Sequence, residues 1–85
     1  MNKVFTDIAW EDYLYWQIAD KKIIKKINEL LKDIDWNGNE GLGKPETLKH
    51  ELDGFWSRRI TPRHRFIYKI DNKNICIIQC RGHYN

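Results

Sequence analysis

The sequence is poor in the features that mark secreted or membrane-spanning proteins. It has two cysteines in 85 residues, and no apolar run approaches the roughly 18 residues that cross a membrane. The N-terminal stretch MNKVFTDIAWED lacks the apolar segment of a signal peptide. On one strand, the Cα atoms of Cys76 and Cys80 would stand about 13 Å apart, too far for a disulfide. These absences predict a cytoplasmic protein whose two cysteines are reduced and buried.

Arginine is absent before position 58, and this absence divides the chain electrostatically. Residues 1–40 carry six basic and eight acidic side chains, a net charge of −2. Residues 41–85 carry nine basic and four acidic side chains, a net charge of +5. All the arginines lie in this second half, at Arg58, Arg59, Arg63, Arg65 and Arg81. A basic half suggests an anionic partner, most commonly nucleic acid, and a solubilising face is the alternative.

Repeats and low-complexity segments are also absent, and the length fits one domain spanning residues 1–85. Thr6 is a suitable N-cap for a helix from Asp7 to Ala19, and Asp20 for a second helix over residues 21–34. The second helix has a single apolar stripe at helical spacing, the strongest structural signal in the chain. A glycine-rich loop from Trp36 to Glu46 follows it.

The remaining apolar segments have the composition and length of strands. They are Lys3–Phe5 and residues 54–60, 63–70 and 74–84, the last three joined by tight turns. The element order is therefore β-α-α-β-β-β. It predicts an α+β fold in which a two-helix hairpin packs on one face of a small antiparallel sheet.

Strand alternation divides the side chains of this sheet between two faces. The even positions of the last two strands are expected to pack under the helices: His64, Phe66, Tyr68, Ile70, Cys76, Ile78 and Cys80. His64 is accordingly predicted to be structural. The opposite face would carry Arg59, Arg65, Arg81 and His83. Arginines beside a protonatable histidine suit acid–base chemistry on a phosphodiester, and an exposed polar face is the alternative. A zinc site of Cys76, Cys80 and His83 is disfavoured because the histidine points away from both cysteines.

Several motifs, in this order and at these spacings, resemble the YoeB/Txe-type toxins of the RelE superfamily, which belong to bacterial toxin–antitoxin pairs. They are DYLYWQ, KINELLKDI, GKPETLKH, GFWSRRIT followed by HR, and the terminal HY. The resemblance covers essentially the whole chain and implies the RelE-like version of the predicted fold. It also implies an mRNA interferase, which enters the ribosomal A site and cuts the codon held there.

The resemblance implies a reaction without metal or cofactor, in which the 2′-OH attacks the adjacent phosphate and leaves a 2′,3′-cyclic phosphate and a 5′-OH. It implies Glu46 as general base, Arg65 as the clamp on the phosphorane charge and His83 as general acid. Tyr84 is expected to orient the scissile nucleotide or stack on it. Lys49, Arg59 and Arg81 are expected to bind the substrate. The alternative for each residue is an ordinary loop, strand or tail position.

The resemblance further implies an acidic, partly disordered antitoxin of the YefM type, which would complement the +5 half. It leaves a homodimer open. Two other functions compete with the nuclease. The same basic face suits a non-catalytic module that blocks a ribosomal or RNA site by occupancy. Superfamily relatives that poison DNA gyrase use a similar scaffold, but the terminal HY and the Glu46 loop match the nuclease branch.

Overall fold

The computed structural model describes residues 1–83, so Tyr84 and Asn85 lie outside the described residues. Within these residues the fold has two helices and five strands, with one short 3₁₀ helix at His50–Leu52. In chain order they are β1 (Asn2–Phe5), α1 (Asp7–Ala19), α2 (Lys21–Asn37), β2 (Glu46–Thr47), β3 (Trp56–Arg59), β4 (Arg65–Asp71) and β5 (Asn74–Gln79).

The two helices begin where the sequence predicts them. The Thr6 hydroxyl accepts a hydrogen bond from the Ala9 amide, and the Asp20 carboxylate accepts from the Lys22 amide at 2.9 Å. These side chains satisfy amides that the first turn of a helix leaves without partners. The predicted stripe of α2 is buried at Ile23, Ile27, Leu30, Leu31 and Ile34. Within residues 1–83, neither helix is long and apolar enough to cross a membrane.

The strands form one sheet with the order β1-β5-β4-β3-β2, and both helices cover one of its faces. The α+β class, the helical hairpin and the antiparallel β3-β4-β5 meander are confirmed. The sheet is mixed rather than purely antiparallel, because β1 pairs parallel with β5. A parallel pair needs a long connection, and the chain between β1 and β5 includes both helices and strands β2 to β4. The short strand β2 begins at Glu46, the last residue of the predicted loop. It pairs with β3 and forms the opposite edge of the sheet.

One irregularity in β5 reverses the predicted faces of its first half. Tyr68 pairs with Ile77 and Ile67 pairs with Gln79, so Ile78 is an extra residue in β5. Ile77 before this bulge and Cys80 after it both lie in the core. The prediction was therefore right for Cys80 and wrong for Cys76 and Ile78, which are only partly buried. A one-residue bulge shifts the alternation, and the sequence pattern does not show it.

A fully buried arginine joins the helices, the loop after α2 and the sheet. Arg58 of β3 has no exposed surface. Its Nε donates to the Tyr68 hydroxyl, and Nη1 donates to the Asp33 carboxylate of α2 and to the Leu42 carbonyl. Its Nη2 donates to the carbonyls of Gly38 and Glu40, at 2.7 and 2.8 Å. All five guanidinium N–H groups are thus used, which is what makes a buried cation tolerable.

Asp33 is the charge partner of this arginine. The hydrogen bond from Arg58 holds the pKa of the Asp33 carboxyl below its usual value, against the opposing effect of burial. The same carboxylate accepts the Leu42 amide at 2.9 Å. Gly41 packs so closely that a Cβ atom there would stand 2.2 Å from the Asp33 Oδ2. The loop therefore needs glycine at this position.

Replacing the buried arginine tests its structural role. In Arg58→Met, the Asp33 carboxylate, the Tyr68 hydroxyl and three carbonyls lose their donor, so unfolding should become easier by about 3–5 kcal/mol. Urea denaturation followed by tryptophan fluorescence measures this change. The neighbouring, exposed Arg59→Met is the matched control and should change stability little. Equal stabilities for the two variants would contradict the role of Arg58.

The two thiols test the bulge in β5. Cys80 is fully buried, and burial raises the pKa of its thiol to about 12, whereas Cys76 is partly exposed. Because the thiolate is the reactive form, iodoacetamide at pH 8 should modify Cys76 and leave Cys80 intact. Mass spectrometry of the folded wild type and of Cys76→Ser measures the modification. Rapid modification of folded Cys76→Ser would contradict the predicted burial of Cys80.

Candidate functional site

Strand register gathers three of the predicted site residues on one face of the sheet. Glu46 of β2 pairs with Ser57 of β3, and Arg59 of β3 pairs with Arg65 of β4. Residues two apart in a strand share a face, and directly opposite residues have Cβ atoms about 4.5–5.5 Å apart. The intervening Arg58 points into the protein under the helices. Glu46, Arg59 and Arg65 therefore share the face away from the helices, as predicted for the two arginines.

Arg65 is held in place by the turn that precedes β4. Its Nη1 donates to the Thr61 carbonyl at 2.8 Å and to the Pro62 carbonyl at 3.2 Å. A third carbonyl, that of His64, lies 3.3 Å from the same nitrogen. These contacts fix one edge of the planar guanidinium, so its orientation is set before any ligand arrives.

His83 lies beside Arg65. Its Nε2 is 3.1 Å from the Pro62 carbonyl oxygen, the same oxygen that Arg65 contacts. A carbonyl oxygen only accepts hydrogen bonds, so His83 Nε2 carries a proton in this arrangement. The structure therefore places an imidazole N–H and a fixed cation next to each other, on one carbonyl. This pairing is what the predicted roles of Arg65 and His83 require.

The segment that carries His83 is fastened by groups that sequence reasoning did not select. The Gln79 amide nitrogen donates to the carbonyls of Arg81 and His83, each at 3.1 Å. Cys80 is held from α1, since its amide donates to Asp12 and its carbonyl accepts from the Trp16 indole at 2.9 Å. Burial raises the pKa of Asp12, and the Cys80 amide partly offsets this. Asp12 and Trp16 belong to DYLYWQ, the motif to which no site role was given.

Arg81 departs from the predicted arrangement. Its guanidinium carbon lies 3.6 Å from the centre of the Tyr15 ring of α1, a cation–π contact. The prediction that Arg81 shares a sheet face with Arg59 and Arg65 is therefore wrong. β5 ends at Gln79, so strand alternation no longer directs the side chain of Arg81. Its substrate-binding role stays a prediction.

Two further predicted residues lie at the margins of this site. Lys49 is exposed at the residue before the short 3₁₀ helix, three positions after Glu46. Tyr84 lies outside the described residues. Ser57, the register partner of Glu46, is buried, and its hydroxyl finds no hydrogen-bond partner within residues 1–83. Buried hydroxyls without partners are uncommon, and this one was not anticipated from the sequence.

An open cleft of about 370 Å³ adjoins the site. It runs between α2, the loop before β2 and the end of β3, and its lining is Lys26, Gly43, Lys44, Arg59, Ile60, Thr61 and Pro62. Three of these residues are cations, and no acidic side chain occurs among this lining, all of it within residues 1–83. Such a cleft concentrates positive potential next to Arg65 and His83.

Comparison with known proteins assigns the family. The model of a protein family described as "YoeB-like toxin of bacterial type II toxin-antitoxin system" matches residues 5–84. The chain belongs to this family of YoeB-like toxins. Toxin YoeB of Escherichia coli K12 is 54% identical over 84 residues, which cover 99% of this chain and 100% of that protein. The resemblance inferred from the motifs is thereby confirmed.

Solved structures of YoeB proteins share the fold. A YoeB/ParE toxin from Agrobacterium tumefaciens superposes with a TM-score of 0.96 at 44% identity, over 99% of this chain and 100% of that one. A YoeB dimer from Staphylococcus aureus superposes with a TM-score of 0.93 at 54% identity, over 99% and 98% of the two chains. The toxin chain of a heterotetrameric YoeB–YefM complex from the same organism gives the same values. The mixed sheet and helical hairpin are thus the fold of YoeB toxins.

Proposed function

We propose that this YoeB-like toxin is an endoribonuclease that cuts mRNA in the ribosomal A site. The observation that supports this most directly is the meeting of Arg65 and His83 at the Pro62 carbonyl, on the sheet face that also carries Glu46. A general base, a fixed cation and a general acid are what 2′-OH attack on a phosphodiester needs, and a carboxylate, a guanidinium and an imidazole suit these roles.

In the proposed reaction the substrate supplies its own nucleophile. Glu46 accepts the proton of the 2′-OH, whose oxygen then bonds to the adjacent phosphorus. Arg65 stabilises the negative charge that builds on the phosphorane oxygens. His83 gives its Nε2 proton to the departing 5′ oxygen as the P–O5′ bond breaks. The products are a 2′,3′-cyclic phosphate and a 5′-OH, and no redox change or external co-reactant is involved.

The remaining predicted residues would hold the RNA. Arg59 is exposed beside Arg65 and borders the basic cleft, which supports a role in binding a phosphate. Lys49 would contribute a second cation on the Glu46 side, and Arg81 one near the C-terminal segment. Tyr84 would stack on the scissile nucleotide, a role that rests on the family resemblance alone.

The cleft suggests a path for the RNA strand. Lys26 is half-buried there, and Lys44 stands at its rim with a left-handed backbone angle, φ +51°. The positive charges of Lys26, Lys44 and Arg59 repel each other in this cleft, and an anion bound among them would offset that repulsion. We expect the backbone phosphates next to the scissile one to occupy this cleft, since it opens directly beside Pro62.

A YefM-like antitoxin is the proposed partner, because the similar S. aureus toxin is found in a YoeB–YefM complex. Large apolar side chains are exposed on the helices, with Ile18 90% and Trp36 86% accessible. Such residues are commonly covered in complexes. Cytoplasmic location follows from a target on the ribosome, and a homodimer is proposed by analogy with the S. aureus dimer.

Simple occupancy of the A site is the second candidate function, since the basic face would bind RNA with or without cutting it. Mapping of mRNA 5′ ends after induction of the toxin distinguishes the two. New 5′-OH ends within codons support cleavage. Translation arrest without new ends would overturn the nuclease proposal in favour of occupancy.

Substitution of the acid and the clamp tests the assignment of roles. His83→Ala and Arg65→Ala should each lower the single-turnover cleavage rate by about 10²-fold or more, because each removes a group that acts in the transition state. Lys73→Ala removes one exposed positive charge in the turn before β5 and should cleave like the wild type. Thermal unfolding of each variant checks that the fold is retained. Wild-type rates for both site variants would show that the assignment is wrong.

The basic cleft gives a separate prediction with a matched control. Lys26→Ala should raise KM several-fold at unchanged kcat and lower the slope of log KM against log salt by about 1. Lys25→Ala removes the same charge from the preceding residue of α2, which is exposed and outside the cleft lining. Equal effects of the two substitutions would mean that only overall charge matters, and that the RNA does not use the cleft.

A further inference from the structure

Gly82 is the residue before His83. Both of its backbone polar groups are bound, one by His64, just before β4, and the other by Arg65, the first residue of β4. Its amide donates to His64 Nδ1 at 2.8 Å. Its carbonyl accepts from the Arg65 amide at 3.0 Å. The two contacts bind the C-terminal segment to residues 64 and 65 after β5 itself has ended. The sequence pattern suggested only a packing role for His64. The structure shows that it also holds the C-terminal segment.

The His64 ring is itself fixed on two sides. It meets the Trp16 ring edge to face, with centroids 4.7 Å apart and an interplanar angle of 73°. Trp16 also donates its indole N–H to the Cys80 carbonyl, two residues before Gly82. The His64 amide lies 3.1 Å from the Thr61 hydroxyl oxygen in the preceding turn. A rigid imidazole thus holds a segment that lies near the chain end, where backbone is ordinarily loose.

The direction of the Gly82 hydrogen bond settles the protonation of His64. An amide N–H only donates, so Nδ1 accepts and carries no proton. The neutral ring then has its proton on Nε2. Protonation at Nδ1 would remove the acceptor and set two N–H groups against each other.

We propose that His64 is a positioning residue for His83: the neutral ring holds Gly82 and so places the His83 imidazole at the Pro62 carbonyl, and protonation of His64 releases it. The role of His83 as acid in this scheme rests on the proposed function. The contact that His64 makes with Gly82 does not, and it can be measured without RNA.

The surroundings of His64 favour the neutral ring. Burial lowers its pKa most, and the positive charges of Arg63, Arg81 and His83 lower it further. From β4, the cationic Arg65 adjoins it in sequence, and from α1 the acidic Asp12 binds the nearby Cys80 amide. Because the folded pKa is below the ordinary value near 6.5, the stabilisation is complete above about pH 6.5. It is lost as the pH falls from there through the folded pKa.

Two substitutions separate positioning from packing. His64→Asn places a carboxamide oxygen close to the position of Nδ1, so it keeps an acceptor that does not titrate. His64→Leu keeps apolar bulk but removes the acceptor. The cleavage rate should fall by about 10²-fold in the Leu variant, with KM little changed, since misplacement of a catalytic group by about 1 Å costs this much. The Asn variant should recover most of the rate, and its rate should fall less than the wild-type rate as the pH is lowered through the folded pKa of His64.

Nuclear magnetic resonance of the free protein, without RNA, gives a readout that does not depend on activity. The Gly82 amide proton shift should move with pH along the same curve as the His64 ring nitrogens, and in His64→Asn it should not move. Independent titration of the two signals would overturn the proposal, even if the Leu variant failed to fold.

Full cleavage by a folded His64→Leu, with His83→Ala inactive, would overturn positioning and leave the proposed function standing. Coupled titration in a protein that cuts no RNA would support the His64 contact and overturn the proposed function.

Discussion

The buried guanidinium of Arg58 is the interaction on which the rest of the structure depends. It joins α2 through Asp33, the loop after α2 through three carbonyls, and the sheet through Tyr68. With Arg58 turned inward, strand alternation turns Arg59 outward. The loop that Arg58 fixes contains Gly43, whose carbonyl accepts the Arg59 amide at 2.7 Å, and leads into β2 with Glu46. One buried cation thereby sets the positions of a carboxylate and a cation of the site.

The other half of the site lies close to the chain end and is held from outside its own strand. α1 binds Cys80, Gln79 binds the carbonyls that follow, and His64 binds Gly82. None of these contacts is part of the regular sheet ladder. The segment can thus be released by changes in a few hydrogen bonds, while the core beneath it stays intact. This separation would allow the position of His83, the proposed proton donor, to change while the fold is kept.

The sequence predicted the elements better than their faces. Thr6 and Asp20 mark both helix starts because capping is local chemistry, and the apolar stripe of α2 is unambiguous. Cys76 and Ile78 were assigned to the wrong face because a one-residue bulge leaves no signature in an apolar strand. Strand alternation separates Arg59 from Arg58, but the sequence does not show that a distant loop brings three carbonyls to the buried Arg58 guanidinium. The motifs indicated Glu46, Arg65 and His83, whereas the supporting contacts of Trp16, Gln79 and His64 depend on the three-dimensional fold.

The central claim is that the protein cuts RNA by attack of the substrate's own 2′-OH. The most direct measurement compares two mRNAs on programmed ribosomes, one of them with a single 2′-deoxy nucleotide at the cleavage position. The account predicts that the unmodified mRNA yields a 2′,3′-cyclic phosphate and a 5′-OH, and that the deoxy mRNA stays intact at that position. Cleavage of both mRNAs at equal rates would contradict it.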